Sequence, residues 1–224
     1  MFIGVSGLIG AGKSTLTREL AEHLDSTALN PVQGRWSPVF EPVETNPYLE
    51  DFYQDISRWT FNMQMFLMAK RFQQHQEVIW DTCHRNGGGI VQDRTIYEDT
   101  IFARMHRDDG LMSDRDWDTY ITHFHVMQSF LRYPDVILYL RCTPTRAAER
   151  IKSRGRGAEK EIPLAYLEKL NEGYEEFIEE MKRYTIVVEL DWNEFLPTST
   201  VVSAIREATE SHTSQKFLRS LRRI

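Results

Sequence analysis

The chain has 224 residues, 41% hydrophobic and 27% charged, with a formal net charge of −6. That length suits one large α/β domain with a substantial core, taken here as a single domain over 1–224. The acidic balance argues against nucleic acid as a partner, and no apolar run approaches the length of a membrane span, so no membrane partner is expected either. Cys83 and Cys142 lack metal-ligand spacing and read as free thiols in a reducing compartment. The first predicted strand begins almost at Met1, which leaves no room for a signal or transit peptide, so a cytoplasmic protein is expected.

In chain order, Phe2-Ile3-Gly4-Val5 opens a strand over 2–6. GLIGAGKST follows, with Gly7, Gly12, Lys13 and Ser14 on the fixed positions of G-x-x-x-x-G-K-[ST]. Glycines here let the backbone wrap a phosphate chain, and the amides and helix N-terminus face the anion. Gly10 and Thr15 belong to the same cradle. Lys13 can reach the β- and γ-phosphates, and the Ser14 hydroxyl can bind Mg²⁺. Leu16, Leu20, Ala21 and Leu24 then mark a helix. Further strands are expected near 38–41 and over 89–93, 135–141 and 185–191. Helices are expected over 46–54, 55–85, 96–107, 114–131, 144–153, 164–182 and after 198. Phe61, Met65, Met68, Phe72 and Ile79 read as the buried stripe of the longest one. Apolar strands alternating with helices predict an α/β fold with a parallel five-stranded sheet covered on both faces. Ligands of such sheets lie beyond the carboxyl ends of the strands.

A phosphate loop alone does not separate a GTPase, an ATPase motor and a small-molecule kinase; four further features do, the first two of them where that rule puts a site. Glu41, in FEPVE at the end of the second strand, can accept the proton of an alcohol. Asp93, ending the third, can hold Mg²⁺ together with Ser14, and its neighbour Arg94 can contact the reacting oxygens. Arg150 and Arg154 share a helix face. With Arg156 they form an arginine-rich lid over about 152–162, suited to stabilising a transferring phosphoryl group. Gln64 and Arg71 are two helical turns apart, an angular offset of roughly 20°. They form either a solvated stripe or a pair that reads a nucleobase edge. The basic end (Lys216, Arg219, Arg222, Arg223) reads as a solvated tail over about 205–224.

Together GLIGAGKST, FEPVE, YQDISRWTFNMQMFLMAKRF, QDRTIYEDTIFA and RIKSRGRGAEKEIPLAYLEKL resemble the deoxyribonucleoside kinases, most closely the microbial deoxyadenosine and deoxyguanosine kinases. The resemblance implies a P-loop kinase fold with ATP as donor, Mg²⁺ as cofactor and a deoxyribonucleoside as acceptor, in a homodimer packed through long helices. It makes Glu41 the base for the 5′-hydroxyl, with Arg94 and Lys13 beside the reaction. Asp93 holds the metal. Tyr53 and Glu159 hold the 3′-hydroxyl, Gln64 reads the base and Phe102 stacks on it. Arg71 and Asp99 are the pair of members that accept amino-bearing bases. Arg150, Arg154 and Arg156 clamp the donor phosphates. The chain departs from the family pattern in three places: DRT replaces the more usual ERS, Asn46 replaces a tryptophan, and QDRTIYEDTIFA is one residue shorter than in the animal enzymes. Deoxyadenosine is the favoured acceptor, because Asp99 can accept from an exocyclic amino group; deoxyguanosine and deoxycytidine follow. A nucleoside monophosphate kinase such as thymidylate kinase and a non-catalytic nucleotide-binding regulator are the competing readings.

Overall fold

The computed structural model describes residues 1–27, 35–41, 46–84, 88–155 and 162–221. Its five strands are β1 (Phe2–Gly7), β2 (Trp36–Val39), β3 (Gly89–Asp93), β4 (Val136–Arg141) and β5 (Ile186–Asp191). The helices among the described residues are α1 (Lys13–Ser26), α2 (Leu49–Gln54), α3 (Ile56–His84), α4 (Asp99–Asp108), α5 (Asp114–Gln128), α6 (Pro144–Arg154), α7 (Leu164–Met181) and α8 (Thr198–Leu221). The strands run parallel in the order β2-β3-β1-β4-β5. β1 is central, with Val5 opposite both Asp93 of β3 and Leu138 of β4. The chain crosses to opposite sides of β1 after β1 and after β3, so the end of β1 is the topological switch point where such sheets bind ligands.

The apolar runs of β1 and β4 are buried almost throughout, as expected for parallel strands covered on both faces. α1 packs on β2, β3 and α8; α3, α4 and α7 form a second packed group, with α5 against α3 and α4. Tyr120, Tyr139 and Tyr174 are the bulkiest fully buried side chains of the core.

Several expected boundaries move. β2 covers Trp36–Val39 rather than 38–41, so Glu41 stands beyond the strand. Pro38 explains the tolerance: it lacks an amide donor and sits on an edge strand, where one is dispensable. The helix expected over 96–107 divides into a 3₁₀ turn, Ile96–Glu98, and α4; Thr95 and Glu98 form a capping box at the turn. α5 stops at Gln128. Residues 205–221 continue α8, the helix expected after 198, and Ile205 is buried. The stripe of α3 is the largest correction. Met68 is buried, but Phe61, Met65 and Phe72 are only partly covered. The side that is sealed carries Thr60, Gln64, Arg71 and His75.

Two of the buried histidines make the fold acid-sensitive. His75 bonds through Nε2 to the Arg132 carbonyl at 2.9 Å and meets the rings of Phe2 and Tyr97 edge-on. His106 lies between Phe52 and Tyr166. Burial lowers each pKa to about 4. The unfolded chain therefore binds more protons between about pH 4 and 6.5, and stability falls as pH drops through that window, by about 3 kcal/mol per histidine at full protonation. Urea midpoints should decline steadily from pH 7 to pH 5; a midpoint constant over that range would contradict the assignment.

Candidate active site

The loop from β1 to α1 is shaped by glycines that no other residue replaces easily. Gly10 has φ +85° and Gly12 has φ +92°. A Cβ on Gly10 would stand 2.6 Å from the Ala147 carbonyl oxygen of α6. Lys13 is folded back into this loop, where Nζ donates to the carbonyls of Gly7 at 3.0 Å and Leu8 at 2.8 Å. Burial and the nearby Arg94 lower its pKa to about 8, against the pull of Asp93, Glu98 and Glu41. Ser14 Oγ donates to Asp93 Oδ2. Thr15 follows in the first turn of α1.

A cavity of about 1180 Å³ opens over this loop. Its wall includes Lys13, Ser14 and Asp93, and also Glu41, Arg94 and Gln64. Arg71 and Phe102 line it as well. Residues predicted from separate stretches of sequence therefore share one chamber. Glu41 Oε1 accepts from Arg71 Nη2, and its Oε2 lies 3.6 Å from Arg94 Nε. Burial disfavours the carboxylate, but Arg94, Arg71 and Lys13 outweigh it and hold the pKa at about 2. Glu41 is thus ionised at any working pH.

Arg94 adopts φ +61°, which is unusual for a residue with a side chain and is found where function holds strain. Burial opposes its charge, but Tyr174, Glu41, Glu98 and Asp93 raise its pKa, and its guanidinium lies 4.7 Å over the Phe102 ring. Asp99, with 0% exposure, faces Arg71 Nη1. The two form a buried ion pair, and Asp99 Oδ2 and Gln64 Oε1 have no hydrogen-bond partner.

At the donor side, Arg150 and Arg154 both line the cavity, as their shared helix face predicts. Arg150 Nη2 donates to the Asn193 carbonyl at 2.8 Å, and its guanidinium stacks 4.1 Å from the Phe195 ring. Arg156 and Glu159 lie outside the described residues. So does the side chain of Tyr53, whose backbone is in α2.

Phe195 and Glu98 were given no role in the reading of the sequence. Phe195 is 62% exposed yet lines the cavity, beyond the carboxyl end of β5. The rule that placed Glu41 and Asp93 could have found it. Asn46, already singled out in the sequence as replacing a tryptophan, lines the cavity too, its Oδ1 accepting from the Tyr48 amide at 3.0 Å. Glu98 is buried behind the loop: its carboxylate accepts from Ser6 Oγ at 2.8 Å, the Thr95 amide at 3.1 Å and Tyr174 Oη at 2.9 Å. It ties the end of β1 to the turn bearing Arg94.

Ser14 and Asp93 fit a hard divalent cation. Asp93 Oδ1 is buried without a hydrogen-bond partner, and both side chains offer oxygen. Among the described residues no group of three or more His, Cys, Asp or Glu could hold a metal. Mg²⁺ suits such a sparse set, since it keeps waters and substrate phosphates in its shell.

Residues 3–214 match the model of the deoxynucleoside kinase family. A deoxyadenosine kinase of Dictyostelium discoideum is 41% identical over 209 residues, covering 93% of this chain and 79% of that one. A deoxyadenosine/deoxycytidine kinase of Bacillus subtilis (strain 168) is 42% identical over 179 residues, covering 79% and 76%. The solved deoxyadenosine kinase from M. mycoides with bound dATP superposes with a TM-score of 0.76 at 30% identity, covering 92% of this chain and 99% of that one. The fold is thus that of the P-loop kinases, and the relatives favour neither a monophosphate kinase nor a non-catalytic regulator. A phosphate loop and an ionised, arginine-flanked carboxylate in one chamber are what a kinase of small alcohols needs, and the chain belongs to the deoxynucleoside kinase family.

Proposed function

We propose that this kinase moves the γ-phosphoryl group of ATP to the 5′-hydroxyl of deoxyadenosine, a salvage reaction. The observation that carries the reading is the placement of Glu41: it lines the same cavity as Lys13 and Ser14 and is kept ionised by two arginines. In the reaction the 5′ oxygen bonds to the γ-phosphorus while the bond from that phosphorus to the β,γ-bridging oxygen breaks. The hydroxyl proton passes to a Glu41 oxygen, and ADP leaves. Lys13 and the loop amides hold the donor phosphates. Arg94, with Arg150, Arg154 and Arg156 from the lid, neutralises charge spread over the transferring oxygens. Ser14 and Asp93 would hold Mg²⁺, which would supply positive charge against the negative charge of the donor phosphates. Gly7, Gly10, Gly12 and Thr15 complete the phosphate cradle. Tyr53 and Glu159 take the 3′-hydroxyl, and Phe102 stacks on the base.

Gln64, Arg71 and Asp99 select the base. A carboxylate facing an exocyclic amino group gains a charge-assisted hydrogen bond, whereas one facing the thymine carbonyl leaves two acceptors opposed. ADP formation with deoxyadenosine, deoxyguanosine, deoxycytidine, thymidine, adenosine and dTMP tests the reading. Deoxyadenosine should turn over fastest and thymidine and adenosine poorly; turnover confined to dTMP would overturn it. Asp99→Ala should cut the preference for deoxyadenosine over thymidine, as a ratio of kcat/KM, by about tenfold or more. An unchanged ratio would remove Asp99 from base selection.

The exposed apolar residues Val126, in the last turn of α5, and Phe130, just past it, and the half-covered apolar side of α3 support a homodimer packed through these helices. Light scattering should give twice the 26.4 kDa chain mass; a monomer at micromolar concentration would contradict this. No described helix is long and apolar enough to cross a membrane, and the cytoplasm is the proposed compartment.

A further inference from the structure

Arg71 touches both functions of the acceptor site at once. One terminal nitrogen, Nη2, donates to Glu41 Oε1, while the other, Nη1, pairs with Asp99 Oδ1. Glu41 Oε2 is left to Arg94, 3.6 Å away. Arg71 is 2% exposed, so little water competes for its charge, and its contacts weigh several-fold more than they would in solvent. Its Nε, Asp99 Oδ2 and Gln64 Oε1 lack hydrogen-bond partners. These atoms form one buried cluster of donors and acceptors, suited to a base edge that places an amino group beside a ring nitrogen.

We propose that Arg71 couples base reading to proton transfer: when an amino group donates to Asp99 and the adjacent ring nitrogen accepts from Arg71, the guanidinium is drawn to the base and loosens its hold on Glu41. The inference rests on Glu41 being the proton acceptor. A carboxylate gripped by Arg71, Arg94 and Lys13 is a weak proton acceptor, and releasing one grip makes it a better one. A base without the amino group leaves the Asp99 charge to Arg71, which stays clamped between the two carboxylates. The correct base is then read in the rate of the chemical step as well as in binding.

Single-turnover phosphorylation of deoxyadenosine and of purine 2′-deoxyriboside, the same nucleoside without its 6-amino group, separates the two effects. At saturating nucleoside and MgATP the amino-free compound should react about tenfold or more slowly with the wild-type enzyme. In Arg71→Gln the grip is absent with either compound, so the amino-free nucleoside should react faster than it does with the wild type, and the two rates should agree within about twofold. Arg71→Lys, which keeps the charge without the two-pronged fork, should also lose most of the difference. Equal wild-type rates at saturation, with the amino group felt only in the dissociation constant, would overturn the coupling without needing any variant. A rate ratio that persists in Arg71→Gln would overturn it too. If neither these two compounds nor any other deoxynucleoside were phosphorylated, the reading of Glu41 would fail, and this inference with it.

Discussion

Glu41→Gln should retain nucleoside and lower the single-turnover rate by about 10² or more. Glutamine keeps the shape and the hydrogen-bond acceptor that orients the 5′-hydroxyl, but it cannot take the proton. Binding should therefore change little while the chemical step collapses, which is the signature of an interaction made in the transition state. The same substitution should weaken the fold. Glu41 is the anion among Arg94, Arg71 and Lys13, and they hold its pKa at about 2, below its ordinary 4.5. A lowered folded-state pKa contributes stability that is present above pH 4.5 and is lost as pH falls toward 2. Its side chain is 19% exposed, so about 2 kcal/mol is a fair scale for that contribution. The urea midpoint of Glu41→Gln should fall accordingly. A variant as active as the wild type would remove Glu41 from the chemistry.

Lys13→Met should separate activity from stability in the opposite sense. Turnover should drop by about 10³, because the cation proposed to hold the donor phosphates is lost from the transition state. The fold, however, holds this charge at a cost. Burial lowers the Lys13 pKa from 10.5 to about 8, so the charged form is disfavoured in the folded state. That penalty is in full force below pH 8 and fades as pH rises to 10.5, so stability climbs through that window. It amounts to about 3 kcal/mol at pH 7, partly offset by the hydrogen bonds to Gly7 and Leu8, each worth about 1 kcal/mol. Methionine should therefore raise Tm, measured without nucleotide, by about 2–4 °C, an instance of a functional site held at the expense of stability. A fall in Tm, or unchanged turnover, would contradict the argument.

Much of this site was legible because its chemistry is local. The phosphate loop is a run of adjacent residues with a fixed spacing, and it lies where β1 ends. Glu41 and Asp93 were found by one rule, that polar residues past the ends of parallel strands face the ligand. Both line the cavity, although β2 ends at Val39. What periodicity cannot give is the direction a helix faces. In α3 the apolar set and the polar set recur at the same spacing, and only the packed structure turns Gln64, Arg71 and His75 inward. Glu98 shows a second limit. Thr95 and Glu98 carry the T-x-x-E spacing of a capping box, yet composition predicts an exposed glutamate. Its burial depends on Ser6 and Tyr174, which lie 92 and 76 residues away.

The most direct test of the central claim is the identity of the product. The enzyme would be incubated with MgATP and deoxyadenosine, and the phosphorus resonances followed over time. The account predicts growth of ADP and, in equal amount, of one phosphomonoester coupled to the two 5′ protons of the sugar. Release of inorganic phosphate without a nucleotide product, or a phosphomonoester on the 3′ oxygen, would contradict it.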